Sequence, residues 1–194
     1  MWLGGILTRL KCVIVIIALA SICIPVFGQI TASKWVDQGW VDQGTFLCNQ
    51  GKYAEAIGAF DKAIELNPQY AEAWCWKGLT LGLLGKYDEA TQACDKAIEL
   101  DSEYAPAWYG KGNALYNQGK YDEALQAHDK AIQIAPNYAD AWNGKGLCLK
   151  LLGKTSESNA AYAKAKELGY IGPITGPITT SGKGKQKIKY NPFS

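Results

Sequence analysis

Residues 71–104 read AEAWCWKGLTLGLLGKYDEATQACDKAIELDSEY, and residues 105–138 continue as APAWYGKGNALYNQGKYDEALQAHDKAIQIAPNY. The second string keeps the Trp of the first, the Gly four residues after it, the Gly-Lys-Tyr-Asp-Glu-Ala run and the Asp-Lys-Ala-Ile run, all displaced by 34. The same step extends outward in both directions. Trp40, Trp74, Trp108 and Trp142 are 34 apart, as are Gly44, Gly78, Gly112 and Gly146, and Gly-Lys recurs at Gly51, Gly85, Gly119 and Gly153. Asp-Lys-Ala-Ile begins at Asp61, Asp95 and Asp129. Agreement of period and motif over four copies marks a repeat array, in which one unit cannot bury its own apolar face and must stack on its neighbours.

Each unit reads as two helices. From Glu72 to Leu84, Trp74, Gly78, Leu81 and Leu84 lie three, four or seven apart, one face of a helix. Gly85 ends that helix; Asp88 and Glu89 open the next and complement its dipole, while Ala90, Cys94, Ala97 and Ile98 form its inner stripe, closed by Leu100. Glycine inside a helix costs about 1 kcal/mol against alanine. Gly44, Gly78, Gly112 and Gly146 therefore imply close approach of a partner helix.

A 34-residue unit with Trp, then Gly, then a Gly-Lys-Tyr turn, then Ala and a closing Pro resembles the tetratricopeptide repeat. Trp74, Gly78, Leu81, Tyr87, Ala90 and Ala97 meet the pattern in the second copy; Pro68 and Pro136 close the first and third, and Ser102 stands where the second lacks its proline. The resemblance implies an all-α fold, a right-handed α-solenoid of four helix-turn-helix repeats over 37–70, 71–104, 105–138 and 139–172. It also implies peptide binding in a groove lined by the first helix of each repeat. This register carries Val41, Thr45, Cys48 and Asn49 to the groove from the first copy, and Cys75, Leu79 and Leu83 from the second. Tyr109, Asn113, Tyr116 and Asn117 come from the third, and Asn143, Leu147, Lys150 and Leu151 from the fourth. Such a surface is neutral, aromatic and amide-rich, suited to an extended peptide. Chaperone-binding members of the family clamp a terminal carboxylate with several basic residues, and here Lys150 is the one cation.

Odd and even copies differ. Asn49-Gln50 and Asn117-Gln118 precede the Gly-Lys turn in copies one and three, Leu83-Leu84 and Leu151-Leu152 in two and four, so polar and apolar bands are expected to alternate along the groove. In the fourth copy Thr155-Ser156-Glu157-Ser158, Asn159, Lys164 and Lys166 read as a capping repeat with a solvated outer face.

The flanks have another character. Arg9 and Lys11 precede CVIVIIALASICIPVF, Cys12 to Phe27, which is free of charge. That is a signal-peptide core over residues 1–28, or a membrane anchor through residues 6–27 if it is never cut; either places the repeats on the outer side of the membrane. Residues 29–36 are a linker or helix start. Residues 173–194, with Gly-Pro-Ile-Thr given twice from Gly172 and then Lys183, Lys185, Lys187 and Lys189, read as a disordered basic tail. The stretch from Asp37 to Tyr170 holds all 18 acidic residues against 13 lysines, a net of −5, which disfavours nucleic acid.

Chemistry finds no candidate site. His128 is the one histidine, and its equivalents Phe60, Cys94 and Tyr162 are packing residues. Cys48, Cys75, Cys94 and Cys148 are spread over the first, second and fourth repeats without a CxxC pair, so they read as buried thiols. No phased catalytic constellation, metal site or cofactor site emerges, and the Gly-Lys motifs lack the second glycine and the Ser or Thr of a P-loop. The reading is a non-enzymatic scaffold for a protein or peptide ligand. The alternative is a small-ligand or glycan module stacking on Tyr109 and Tyr116.

Overall fold

In the computed structural model, residues 37–172 are described; the signal or anchor segment, the linker and the basic tail lie outside them. The described residues contain eight helices and no strand. The first, α1, covers 37–49, followed by α2 (Tyr53–Leu66), α3 (Ala71–Leu83), α4 (Tyr87–Leu100), α5 (Ala105–Asn117), α6 (Tyr121–Ile134), α7 (Ala139–Leu151) and α8 (Thr155–Glu167). Odd helices are the first of each repeat, even ones the second. From α2 onward each helix packs on the next, α3 also meets α5 and α5 meets α7, and among the described residues none of α2 to α8 reaches beyond the adjoining repeat. This is an all-α solenoid whose stability sums over neighbouring units.

The turn after each odd helix is set by glycine. Gly51, Gly85, Gly119 and Gly153 have φ of 76 to 79°, a left-handed conformation that a side chain disfavours. The following lysine amide then reaches back to close the helix end: Lys86 N donates to Leu81 O at 3.0 Å, and Lys120 N to Leu115 O at 3.0 Å. The return turn is held by the repeated tryptophan. Nε1 of Trp74, Trp108 and Trp142 donates to the carbonyls of Pro68, Ser102 and Pro136 at 3.1, 2.9 and 2.8 Å. Because the acceptor is a carbonyl, Ser102 serves as well as proline.

These tryptophans are half-buried: Trp74 and Trp108 pack against the core on one side while the indole N–H clamps the turn. Lys77, Lys111 and Lys145 sit over the Trp74, Trp108 and Trp142 rings, 5.4 to 5.8 Å from the centroids, and each pairs at 2.7 Å with Asp61, Asp95 or Asp129 of the preceding helix. The buried positions of α3 are Ala73, Cys75, Trp76, Gly78, Thr80 and Leu81; Leu84, expected on that face, is 42% exposed beyond the helix end.

The core between odd helices is filled from the even ones. Cys94 of α4 lies where a Cβ on Gly78 would stand 2.6 Å from its Sγ and one on Gly110 2.9 Å. His128 of α6 lies likewise between Gly112 and Gly144, at 2.6 and 2.5 Å. The close approach expected at Gly78 and Gly112 is therefore real. The fourth repeat turns a solvated face outward on α8, but Ser158 is not part of it: it is buried, and its Oγ donates to Gly146 O at 2.8 Å.

Candidate functional site

The odd helices α1, α3 and α5 enclose a cavity of about 120 Å³ on the groove face. Thr45 and Asn49 of α1 form one wall, Asn113 and Asn117 of α5 the other, and Leu79 and Leu83 of α3 lie between them. These six side chains and Cys48 of α1, all expected in the groove, are brought together. Trp76 and Thr80 also line the cavity; Trp76 stacks on Phe60 at 6.3 Å between centroids and 12° between planes. Gly110 opens room for Leu79, whose Cδ2 would lie 3.1 Å from a Cβ there.

Polar groups in the lining are few and partly committed. Thr80 Oγ1 donates to Trp76 O at 2.8 Å and lies 3.2 Å from the Cys48 Sγ. Burial raises the Cys48 thiol above its ordinary pKa, against a smaller opposing effect of Thr80, so the thiol stays protonated and uncharged. Asn117 Nδ2 donates to Asn113 O at 2.8 Å. No Lys, Arg, Asp or Glu lines the cavity. The arrangement can accept an apolar group between its two polar walls.

The other expected groove residues go elsewhere. Tyr109 is 6% exposed and packed with Ala131 and Ala141, its ring 5.2 Å from that of Tyr138 and 5.8 Å from that of His128. One helical position beyond Trp108 turns inward toward α6 and α7, not outward to a ligand. Val41 and Cys75, each 1% exposed, occupy the corresponding place in α1 and α3. Asn143 does so in α7, at 7% exposure, with Nδ2 donating to the Tyr170 hydroxyl at 3.1 Å. Tyr116 is half-buried, packed beside Leu115 and tilted on Tyr121 at 5.5 Å. Leu147, half-buried, and Lys150 and Leu151, exposed, lie on α7 outside the cavity.

Trp76 and Thr80 were not expected. Trp76 was legible as an exception, because Gly110 and Gly144 hold its position in the next two copies. The four cysteines of the described repeats are free, with Cys75, Cys94 and Cys148 buried. Burial pushes Cys94 and Cys148 up to about 12 and Cys75 well above its usual value, so all three are protonated packing groups.

Comparison with known proteins follows this geometry. One tetratricopeptide-repeat family model matches residues 42–105 and a second matches 105–138, so the two together run unbroken from 42 to 138. No curated protein sequence matches the chain significantly. Among solved structures, the crystal structure of MamA is 25% identical over 75% of this chain and 85% of that one, with a TM-score of 0.60. TTC0263, a thermophilic repeat protein of Thermus thermophilus, is 26% identical over 69% of this chain and 74% of that one, with a TM-score of 0.63. The first repeat domain of Spaghetti (RPAP3), bound to the HSP90 peptide SRMEEVD, is 24% identical over 61% of this chain and 94% of that one, with a TM-score of 0.58; this likeness is one of fold.

Proposed function

Starting from the fact that this chain belongs to the tetratricopeptide-repeat family, we propose that it is a non-enzymatic interaction scaffold that holds an extended polypeptide segment in its groove, on the outer side of a membrane. The family supports protein–protein interaction as the general role. The observation that carries the finer reading is the convergence of Thr45, Asn49, Leu79, Leu83, Asn113 and Asn117 on one cavity. Leucines supply apolar contact and the amides supply both donors and acceptors, as an extended backbone requires. The solved complex of a similar repeat domain with an HSP90 peptide agrees with peptide capture. Tyr109, being in the core, offers no ring for a sugar to stack on.

Export is supported by the uncharged run from Cys12 to Phe27 behind Arg9 and Lys11. No helix among the described residues is long and apolar enough to cross a membrane. A C-terminal tag should accordingly be open to protease added outside the membrane, and a tag protected there would reject the outer location.

The binding claim is tested by a photo-crosslinking amino acid placed at Asn113 and, as control, at Lys96 on the opposite side of the array. Crosslinks to a defined polypeptide from position 113 and not from position 96 are expected. Equal crosslinking from both positions, or none from 113, would reject the groove as the site.

A further inference from the structure

The two register positions that face the cavity alternate in kind along the array. They are Thr45 and Asn49 in α1, Leu79 and Leu83 in α3, Asn113 and Asn117 in α5, and Leu147 and Leu151 in α7. The cavity shows what the first three bands build, a leucine pair between amide walls. The fourth is a second leucine pair with an amide wall on one side. Leu151 is 49% exposed, and no odd helix follows α7 among the described residues to cover it.

Size, charge and spacing then restrict the partner. A cavity of about 120 Å³ suits one apolar side chain, since an apolar cavity of about 150 Å³ accommodates a benzene ring. The lining carries no ionic group, so a charged side chain entering it would lose its hydration without gaining a counterion. The array's recurring lysines are occupied elsewhere, with Lys77, Lys111 and Lys145 paired to Asp61, Asp95 and Asp129. Lys150 is exposed on α7, outside the cavity. Helix α3 packs on α5 and α5 on α7, so the leucine pairs stand about 16–20 Å apart at the usual interaxial distance of packed helices. An extended chain spans that in about five or six residues.

We infer that the partner presents an uncharged extended segment with two apolar side chains about five or six residues apart, one seated at Leu79 and Leu83 and the other at Leu147 and Leu151. The inference rests on the groove reading above and adds the chemistry of the ligand. Between its anchors the segment crosses the Asn113 and Asn117 band, where the Asn113 side chain makes no hydrogen bond within the described residues and is free to bond the ligand backbone.

The test is selection of displayed random 12-residue peptides against the purified full-length chain. Selected sequences are resynthesised with blocked ends and titrated by fluorescence anisotropy against wild type, Leu83→Ser and Leu151→Ser. The expected peptides have two apolar residues five or six apart with uncharged residues between them. Each leucine variant should weaken binding about tenfold, and should weaken it no further once the corresponding peptide anchor is itself changed to Ser. Changing the peptide anchors reads the same contacts on unaltered protein, so the result does not depend on either variant folding well. Peptides that are charged between their anchors, or insensitive to Leu151→Ser while lost with Leu83→Ser, would overturn the two-anchor inference and leave the groove reading standing. Peptides insensitive to both variants, or no selected peptide at all, would overturn both.

Discussion

The junction between the first two repeats and the junction between the last two use the same backbone with opposite chemistry. At the first, Phe60 of α2 meets Gly44 on one side and stacks on Trp76 on the other. At the last, His128 of α6 sits between Gly112 and Gly144, is 1% exposed, and has no hydrogen-bond partner for either ring nitrogen. The repeat thus keeps the space between neighbouring odd helices while letting its contents vary. Of the two fillings, the polar one alone ties its junction to pH.

The largest difference should come from emptying the first junction. Phe60→Ala removes a fully buried ring and should cost about 3–5 kcal/mol in urea unfolding. A loss below about 1 kcal/mol would mean that Trp76 closes over the gap.

Next comes the acid response of the last junction. Burial lowers the His128 pKa from 6.5 to about 4, so the unfolded chain binds more protons between those values. The neutral histidine's full contribution is present above pH 6.5 and is lost as pH falls toward 4, on the order of 3 kcal/mol in all. Carboxylates titrate in the same window, so the readout is the difference between wild type and His128→Cys, which copies the Cys94 junction and cannot charge in acid. The variant should lose less stability from pH 7 to pH 4.5; parallel losses would place the imidazole in contact with water.

Smaller effects separate the two kinds of glycine. Gly112→Ala puts a Cβ about 2.6 Å from the His128 ring and should destabilise by about 1–3 kcal/mol. Gly58 sits on exposed α2 surface with nothing within 4 Å of its would-be Cβ, so Gly58→Ala should stabilise by up to about 1 kcal/mol. Thermal melts that moved both in the same direction would refute packing as the reason for Gly112. Smallest of all, Asp95→Asn breaks a partly exposed pair with Lys111 and should change stability by less than about 1 kcal/mol.

The sequence made the array legible because Trp, Gly and Gly-Lys recur on one period, and the period alone fixes two helices per unit and their order. It also identified seven of the residues that line the cavity, Thr45, Cys48, Asn49, Leu79, Leu83, Asn113 and Asn117, since groove positions repeat as regularly as core ones. It failed where a single helical step decides direction. Val41, Cys75, Tyr109 and Asn143 share one register position, and their mixed chemistry gave no sign that the position turns inward; likewise Gly144, which with Gly112 makes room for the His128 ring, lies off the repeated glycine position and declares itself through His128 alone. Trp108 is read only in part: its indole packs against the core as its size suggests, but its Nε1 also ties the Ser102 carbonyl and its face carries Lys111.

The central claim, that the cavity between α1, α3 and α5 captures the partner, is tested most directly by titrating the polypeptide trapped from position 113 against three forms of the full chain. These are wild type, Leu83→Lys and a deletion of residues 173–194. Binding at least tenfold weaker for Leu83→Lys, at an unchanged melting temperature, with the deletion binding as wild type, is the result predicted here. Unaltered binding by Leu83→Lys with binding abolished by the deletion would contradict the claim and move recognition from the solenoid to the basic tail.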